Sequence, residues 1–223
     1  MSLVRPDVYD NGQQRVTQPG DLIAANETIT TLATVGTAAI TGAQLATGIL
    51  MRSGSVAGYA DTLPTADDLV GALLNQFYVG TAGPQSGVGL QQNLAFRLRI
   101  INTVAFANTI AVPDTSVILG ANSAIAASAW EDYLVTILNG SLPKVVQCNT
   151  TNANAVVTGM PDTSAITAGM LVTGTGISAS TTVLSVQPGV GVTLSANATA
   201  TNSNVALTFR PRYRVDSIGG GVL

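Results

Sequence analysis

Two pairs of adjacent carboxylates, Asp67–Asp68 and Glu131–Asp132, are the residues of this chain best suited to acid–base chemistry. Paired carboxylates hydrolyse glycosides when they face each other across the bond, ~5 to ~9.5 Å apart. Neighbours on one helix start or one strand end are poorly placed for that. Asp67 and Asp68 therefore read as helix-capping acids, and Glu131–Asp132 as a charged step before a strand. Serine and threonine are plentiful, but the chain has no histidine and a single lysine, Lys144, to activate a hydroxyl. Cys148 is the only cysteine. It can make neither an internal disulfide nor a thiolate cluster, and reads as a small, partly buried hydrophobe rather than a nucleophile. The acids are too few, and their neighbours too apolar, for a calcium cage. Gly87-Val88-Gly89 has no strand leading in and no helix following, so it reads as a loop and not as a phosphate cradle. These residues predict a protein that is not an enzyme, with no catalytic, cofactor-binding or metal-binding residue.

The cations say more about partners. Arg97 and Arg99 share one face of a strand, where they grip acidic groups, make a subunit salt bridge or simply meet solvent; the last two are the plainer readings. Arg210, Arg212 and Arg214 alternate, which on one strand puts all three on one face. We read that face as solvated or subunit-contacting rather than phosphate-binding. A net charge of −3 leaves no whole-chain electrostatic footprint for nucleic acid. Trp130, the sole tryptophan, reads as core or interface rather than a sugar platform. The three Asn-x-Thr matches at Asn26, Asn149 and Asn197 read as chance in a threonine-rich chain. We expect no signal peptide and no membrane span, since no apolar run approaches 18 residues.

Charged residues make up only 9 % of the chain and apolar residues 46 %. A surface so poor in charge favours burial in an assembly, against the alternative of a weakly charged monomer.

The elements that position these groups are mostly strands. One segment reads as helix: Thr65 as N-cap, Asp67 and Asp68 in the first turn, then Leu69, Val70, Leu73, Leu74 and Phe77 as one apolar stripe. Such a stripe needs a sheet to cover, unless Leu73 and Phe77 serve a subunit contact instead. Around it, Leu45–Arg52, Leu94–Ile101, Thr109–Val112, Ser116–Leu119 and Tyr133–Leu138 read as strands, with Ile125–Ala129 a weaker one. Gly80–Gly89, with four glycines and Pro84, reads as a flexible loop. Strands of this length and spacing predict a mainly-β fold, an antiparallel β-sandwich or jelly roll with one short helix.

Both ends of this body differ from its middle. Residues 1–30 are rich in Pro, Gly, Asn, Gln and Asp and have no apolar period; they read as a disordered tail or as an extended arm that orders against a neighbouring subunit. From Ser141 to Phe209 the chain holds two charged residues, Lys144 and Asp162, and has its own set of short strands and glycine turns. We expect a small β module at 141–209, inserted so that Tyr133–Leu138 and Arg212–Ile218 pair across it. The main β domain is then 31–140 plus 210–223. Two modules in tandem is the other arrangement.

Several stretches carry a family resemblance: Leu45–Arg52, Asp61-Thr62-Leu63-Pro64-Thr65-Ala66 with its helix, Leu98–Phe106, Ala129–Thr136 and the closing Ser217-Ile218-Gly219-Gly220-Gly221. They resemble the capsid decoration (cement) and head-fibre proteins of tailed bacteriophages. Gly169–Ile177, Thr181–Val183 and Val192–Thr199 are similar to a small β module of phage fibres and other virion appendages. The resemblance implies a β-sandwich or jelly-roll subunit in a homotrimer on the outer capsid surface, touching the major capsid protein and stabilising contacts between capsomers. The alternative it leaves open is a head- or tail-fibre or adaptor protein that binds a host receptor or glycan. Either way the expected partners include neither nucleic acid nor membrane.

Overall fold

The computed structural model describes residues 9–10, 13–14, 28–54, 56–77, 90, 93–120 and 123–223. A small hairpin, β1 (Tyr9–Asp10) with β2 (Gln13–Gln14), comes first. The body then runs β3 (Thr28–Leu32), α1 (Gly42–Leu45), β4 (Gly48–Arg52), β5 (Tyr59–Thr62), α2 (Ala66–Phe77), β6 (Leu94–Asn102), β7 (Asn108–Ala111), β8 (Val117–Leu119), β9 (Ala124–Ile125) and β10 (Ala129–Asn139). Next come β11 (Lys144–Thr150), β12 (Val156–Thr158), β13 (Leu171–Gly174), β14 (Val183–Gln187), β15 (Gly191–Leu194) and β16 (Asn202–Arg210), and β17 (Arg212–Val222) closes the series. The fold is mainly β. Thr28–Thr30, which the sequence grouped with the N-terminal arm, belong to β3. The rest of residues 1–27, apart from the hairpin, and the Gly80–Gly89 loop lie outside the described residues.

The main sheet has the order β3-β4-β6-β10-β17-β8. Its centre is antiparallel, β6 with β10 and β10 with β17. Its flanks are parallel: β3 with β4, β4 with β6, and β17 with β8. The all-antiparallel expectation therefore holds only for the centre. The physical reason lies in the connections. Parallel neighbours need long crossovers rather than hairpins, and the 41 residues between Arg52 and Leu94 supply one, with α2 in it. Strand periodicity carries no sign of direction.

One face of this sheet is the core. Leu50, Phe96, Leu98, Ile100, Tyr133, Val135, Ile137, Tyr213 and Val215 are buried there against Leu45, Leu69, Val70, Leu73 and Leu74 of the helices. Each such side chain contributes roughly 1.5–3 kcal/mol by leaving water. Leu73 is 2 % exposed, so the stripe of α2 is used within the subunit; the side chain of Phe77 lies outside the described residues. The small sheet β5-β7-β9 completes this second layer through Ile110 and Ile125. Helix α1 was not expected. It is one turn long and held by a full capping box, in which Thr41 accepts from the Gln44 amide and Gln44 accepts from the Thr41 amide.

Residues 144–210 have a sheet and a core of their own. The order β13-β16-β11-β12-β15-β14 surrounds Val146, Cys148, Val157, Met170, Val172, Leu207 and Phe209. A bridge between Leu171 and Thr182 joins the two ends of that order, so the sheet closes into a small barrel and leaves no long open edge. Strands β10 and β17 pair directly from Ala129↔Val222 to Asn139↔Arg212, on either side of this module. Two ties hold the joint. Asn139 Nδ2 donates to Ala168 O at 2.7 Å, and Arg210 bridges Asp67 at 2.7 Å and Asp114 at 3.2 Å.

Candidate functional site

The acids singled out by sequence do not converge. Glu131 and Asp132 are neighbours on β10, so their side chains leave on opposite faces of the sheet. Glu131 faces inward and accepts from Ser217 Oγ; Asp132 faces outward. Asp67 pairs with Arg210, while Asp68 accepts from the Gly42 amide at 2.6 Å. Asp68 thus caps α1, a different helix from the one it sits on, and Thr65 caps α2 by accepting from the Asp68 amide at 3.3 Å. An open groove of about 520 Å³ runs beside Ala43, Asp67, Asp68 and Gly71, and both of its acids are engaged in these contacts.

The three C-terminal arginines do not share a face. Pro211 lacks the N–H a ladder needs and separates β16 from β17. Arg210 stays at the module joint, Arg212 lies half-buried at the start of β17, and Arg214 turns out to Asp216 at 2.7 Å. Burial lowers the Arg212 pKa from its ordinary value. Cys148 is buried in the module core, which pushes its thiol up to about 11. It is a protonated thiol at neutral pH and not a nucleophile.

What does assemble is a cluster on the outer face of the main sheet. Asp132 receives Arg99 Nε at 2.7 Å and Arg99 Nη2 at 2.8 Å, and Arg97 Nη2 as well. The hydrogen bonds from Arg99 hold its carboxyl below the usual carboxylate range, with Arg97 adding to them. Above this pair of strands, the Arg99 guanidinium stacks over Trp130 at 4.4 Å from the ring centre. Trp130 in turn lies on β17, where a Cβ on Gly221 would stand 3.0 to 3.1 Å from three of its ring atoms. Gly220 takes the other side: a Cβ there would run into the Glu131 carboxylate. Gly221 therefore leaves space for Trp130 on one face and Gly220 for Glu131 on the other, while Gly219 meets nothing there and has a positive φ of 148°. Asp132 is saturated by arginines and has no proton to move at neutral pH. The cluster is rich in the Arg and Trp that interfaces favour.

Sequence reasoning missed one strong constellation. Arg52 is 0 % exposed and pairs with Asp61 at 3.1 Å. It also donates to the carbonyls of Leu32 and Thr34 at 3.1 and 2.7 Å and to that of Gly36, and stacks over Tyr59 at 4.2 Å. Asp61 accepts from the Ala38 amide and from Asn108 Nδ2 at 2.8 and 2.9 Å. This network ties β4, β5, β7 and the 33–38 connection together, and every donor in it is turned to protein rather than to a cleft. No family model, no curated protein and no solved structure matches the chain.

Proposed function

We propose that this chain is a structural protein of a tailed-phage virion: a homotrimeric decoration, or cement, protein that binds the outer capsid surface and stabilises contacts between capsomers of the major capsid protein. The observation that carries this reading is the outer face of the main sheet, where Arg97, Arg99 and Trp130 stand among half-buried aliphatic side chains with no reactive group beside them. A surface of that make-up works by burial, and repeated over many symmetric copies a modest contact becomes a strong one. The resemblance of Leu45–Arg52, Asp61–Ala66, Leu98–Phe106 and Ala129–Thr136 to capsid decoration proteins supports the same reading. The test is co-sedimentation of the purified chain with capsids that lack it. We expect saturable binding at a fixed copy number and a higher disruption temperature for decorated capsids. A folded chain that stays in the supernatant contradicts the proposal.

A second reading is a fibre or adaptor that binds a host glycan. The closed barrel at 144–210 favours it, because a unit with its own core and a threonine- and asparagine-rich surface can present a binding face away from the body. A glycan array probed with the full chain separates the two: specific glycan binding supports the adaptor, and its absence leaves the module as a spacer.

A further inference from the structure

One arginine stands without a counter-charge at the start of β17. Every other Lys and Arg side chain of the described residues has a carboxylate partner. Arg212 has none, and its Nε is buried without an acceptor. Register explains the isolation. Tyr213 is buried on the inner face, so Arg212 and Arg214, one residue to either side of it, stand on the outer face. Their cross-strand neighbours Asn139, Thr136 and Ile118 are uncharged. Asp216, the next residue on that face, already receives Arg214 Nε at 2.8 and 2.7 Å. The remaining carboxylates of the described residues are engaged within the chain as well. A half-buried charge left alone is costly. The planar fork of arginine is completed best by an oxyanion that takes two parallel hydrogen bonds.

We propose that Arg212, with Arg214 beside it, receives a carboxylate of another protein: an acidic segment of the capsid surface. The site rests on the capsid reading and gives the partner its chemistry. Three observations select a protein carboxylate. Arg212 is only half-buried, so its fork stays within reach of a partner. The carboxylates of a second copy are already engaged, so that copy has none to offer. A net charge of −3 repels a polyanion at long range, and two guanidinium groups make too small a footprint for a nucleic-acid backbone. The Arg97–Trp130 cluster lies elsewhere on the face. Asp132 is four residues from Thr136 along β10, ~13 Å away, so a carboxylate seated at Arg212 leaves that cluster to the symmetric assembly.

The experiment is co-sedimentation of the full chain with capsids that lack it, either untreated or with their surface carboxylates amidated by carbodiimide and ethanolamine. We expect amidation to weaken binding about tenfold or more, and Arg212→Gln to lose about tenfold on untreated capsids, as for a hydrogen bond between charged groups. Because the two changes remove the same contact, Arg212→Gln should lose little more on amidated capsids. Arg212→Lys should recover part of the loss, and Lys144→Gln, in the module, should match the parent chain. Circular dichroism and light scattering should give each variant the fold and native mass of the parent. If Arg212→Gln does not fold, Arg214→Gln, at a half-exposed position, replaces it with a smaller loss expected; the amidation arm needs no variant. Equal binding to amidated and untreated capsids overturns the proposal and leaves the capsid reading standing. No binding to untreated capsids overturns both. Binding that survives amidation and is displaced by duplex DNA assigns the site to phosphate and overturns the proposal. A lowered native mass in folded Arg212→Gln does so too, because Arg212 then joins copies of the chain.

Discussion

Arg52 shows how much a single side chain can organise. It ends β4 on the face that buries Leu50 and is itself buried, with Asp61 as its counter-ion and three carbonyls as acceptors. Nothing in the local sequence marks it, since its partners lie 16 to 20 residues upstream, where the carbonyls are, and nine residues downstream at Asp61. Breaking a buried pair by removing one member leaves an uncompensated charge, so Asp61→Ala should cost about 3–5 kcal/mol in urea unfolding. Asp132 gives a pH signature. Its folded pKa is depressed, chiefly by the Arg99 hydrogen bonds, so its contribution is present above the unfolded value of ~3.9 and is lost as pH falls through the folded value. Acid titration of stability should therefore steepen below pH ~4 in the native chain, and Asp132→Asn should flatten that limb. Gly220→Ala is expected to destabilise by roughly 1–3 kcal/mol, because its Cβ collides with Glu131 and the β10 backbone.

At the level of elements, turns and alternation were readable and directions were not. The strands at 94–102, 108–111 and 117–119 stand within a residue of where apolar alternation and flanking Gly, Pro and Asn put them, whereas β10 begins at Ala129 and not at Tyr133, so that Glu131 and Asp132 lie within the strand, and β17 runs on past Ile218 to Val222. The parallel flanks were illegible, because a half-buried strand has the same pattern whichever way its neighbour runs. Helix α1 was legible in principle: Thr41-Gly42-Ala43-Gln44 is a capping-box sequence, but one turn is too short to show a period. Thr41→Ala should lower stability by about 1 kcal/mol, measurable by chemical denaturation. Pro211 explains the misplaced arginine trio, for it changes sheet between Arg210 and Arg212. Because Asn139 and Arg212 are cross-strand partners, residues 140–211 can be replaced by a short glycine-rich hairpin. We expect the remaining body to melt in one cooperative transition; a chain that stays unfolded shows instead that the module is required for the sheet.

On the scale of the whole molecule, two cores of different chemistry share one chain. The body concentrates its charge in a few paired clusters, and the module is almost neutral. The proposed function was less legible than the fold because a contact surface leaves no spaced motif in the sequence. The candidate cluster illustrates this: Arg97, Arg99, Trp130 and Asp132 were each noticed in the sequence, but their convergence depends on the β6–β10 register, with Asp132 opposite Arg99 and Trp130 opposite Ile101. The central claim is that this surface serves a symmetric assembly. Light scattering of the purified chain at micromolar concentration tests it most directly. The account predicts a native mass near three times 22.6 kDa; a single species at 22.6 kDa contradicts it.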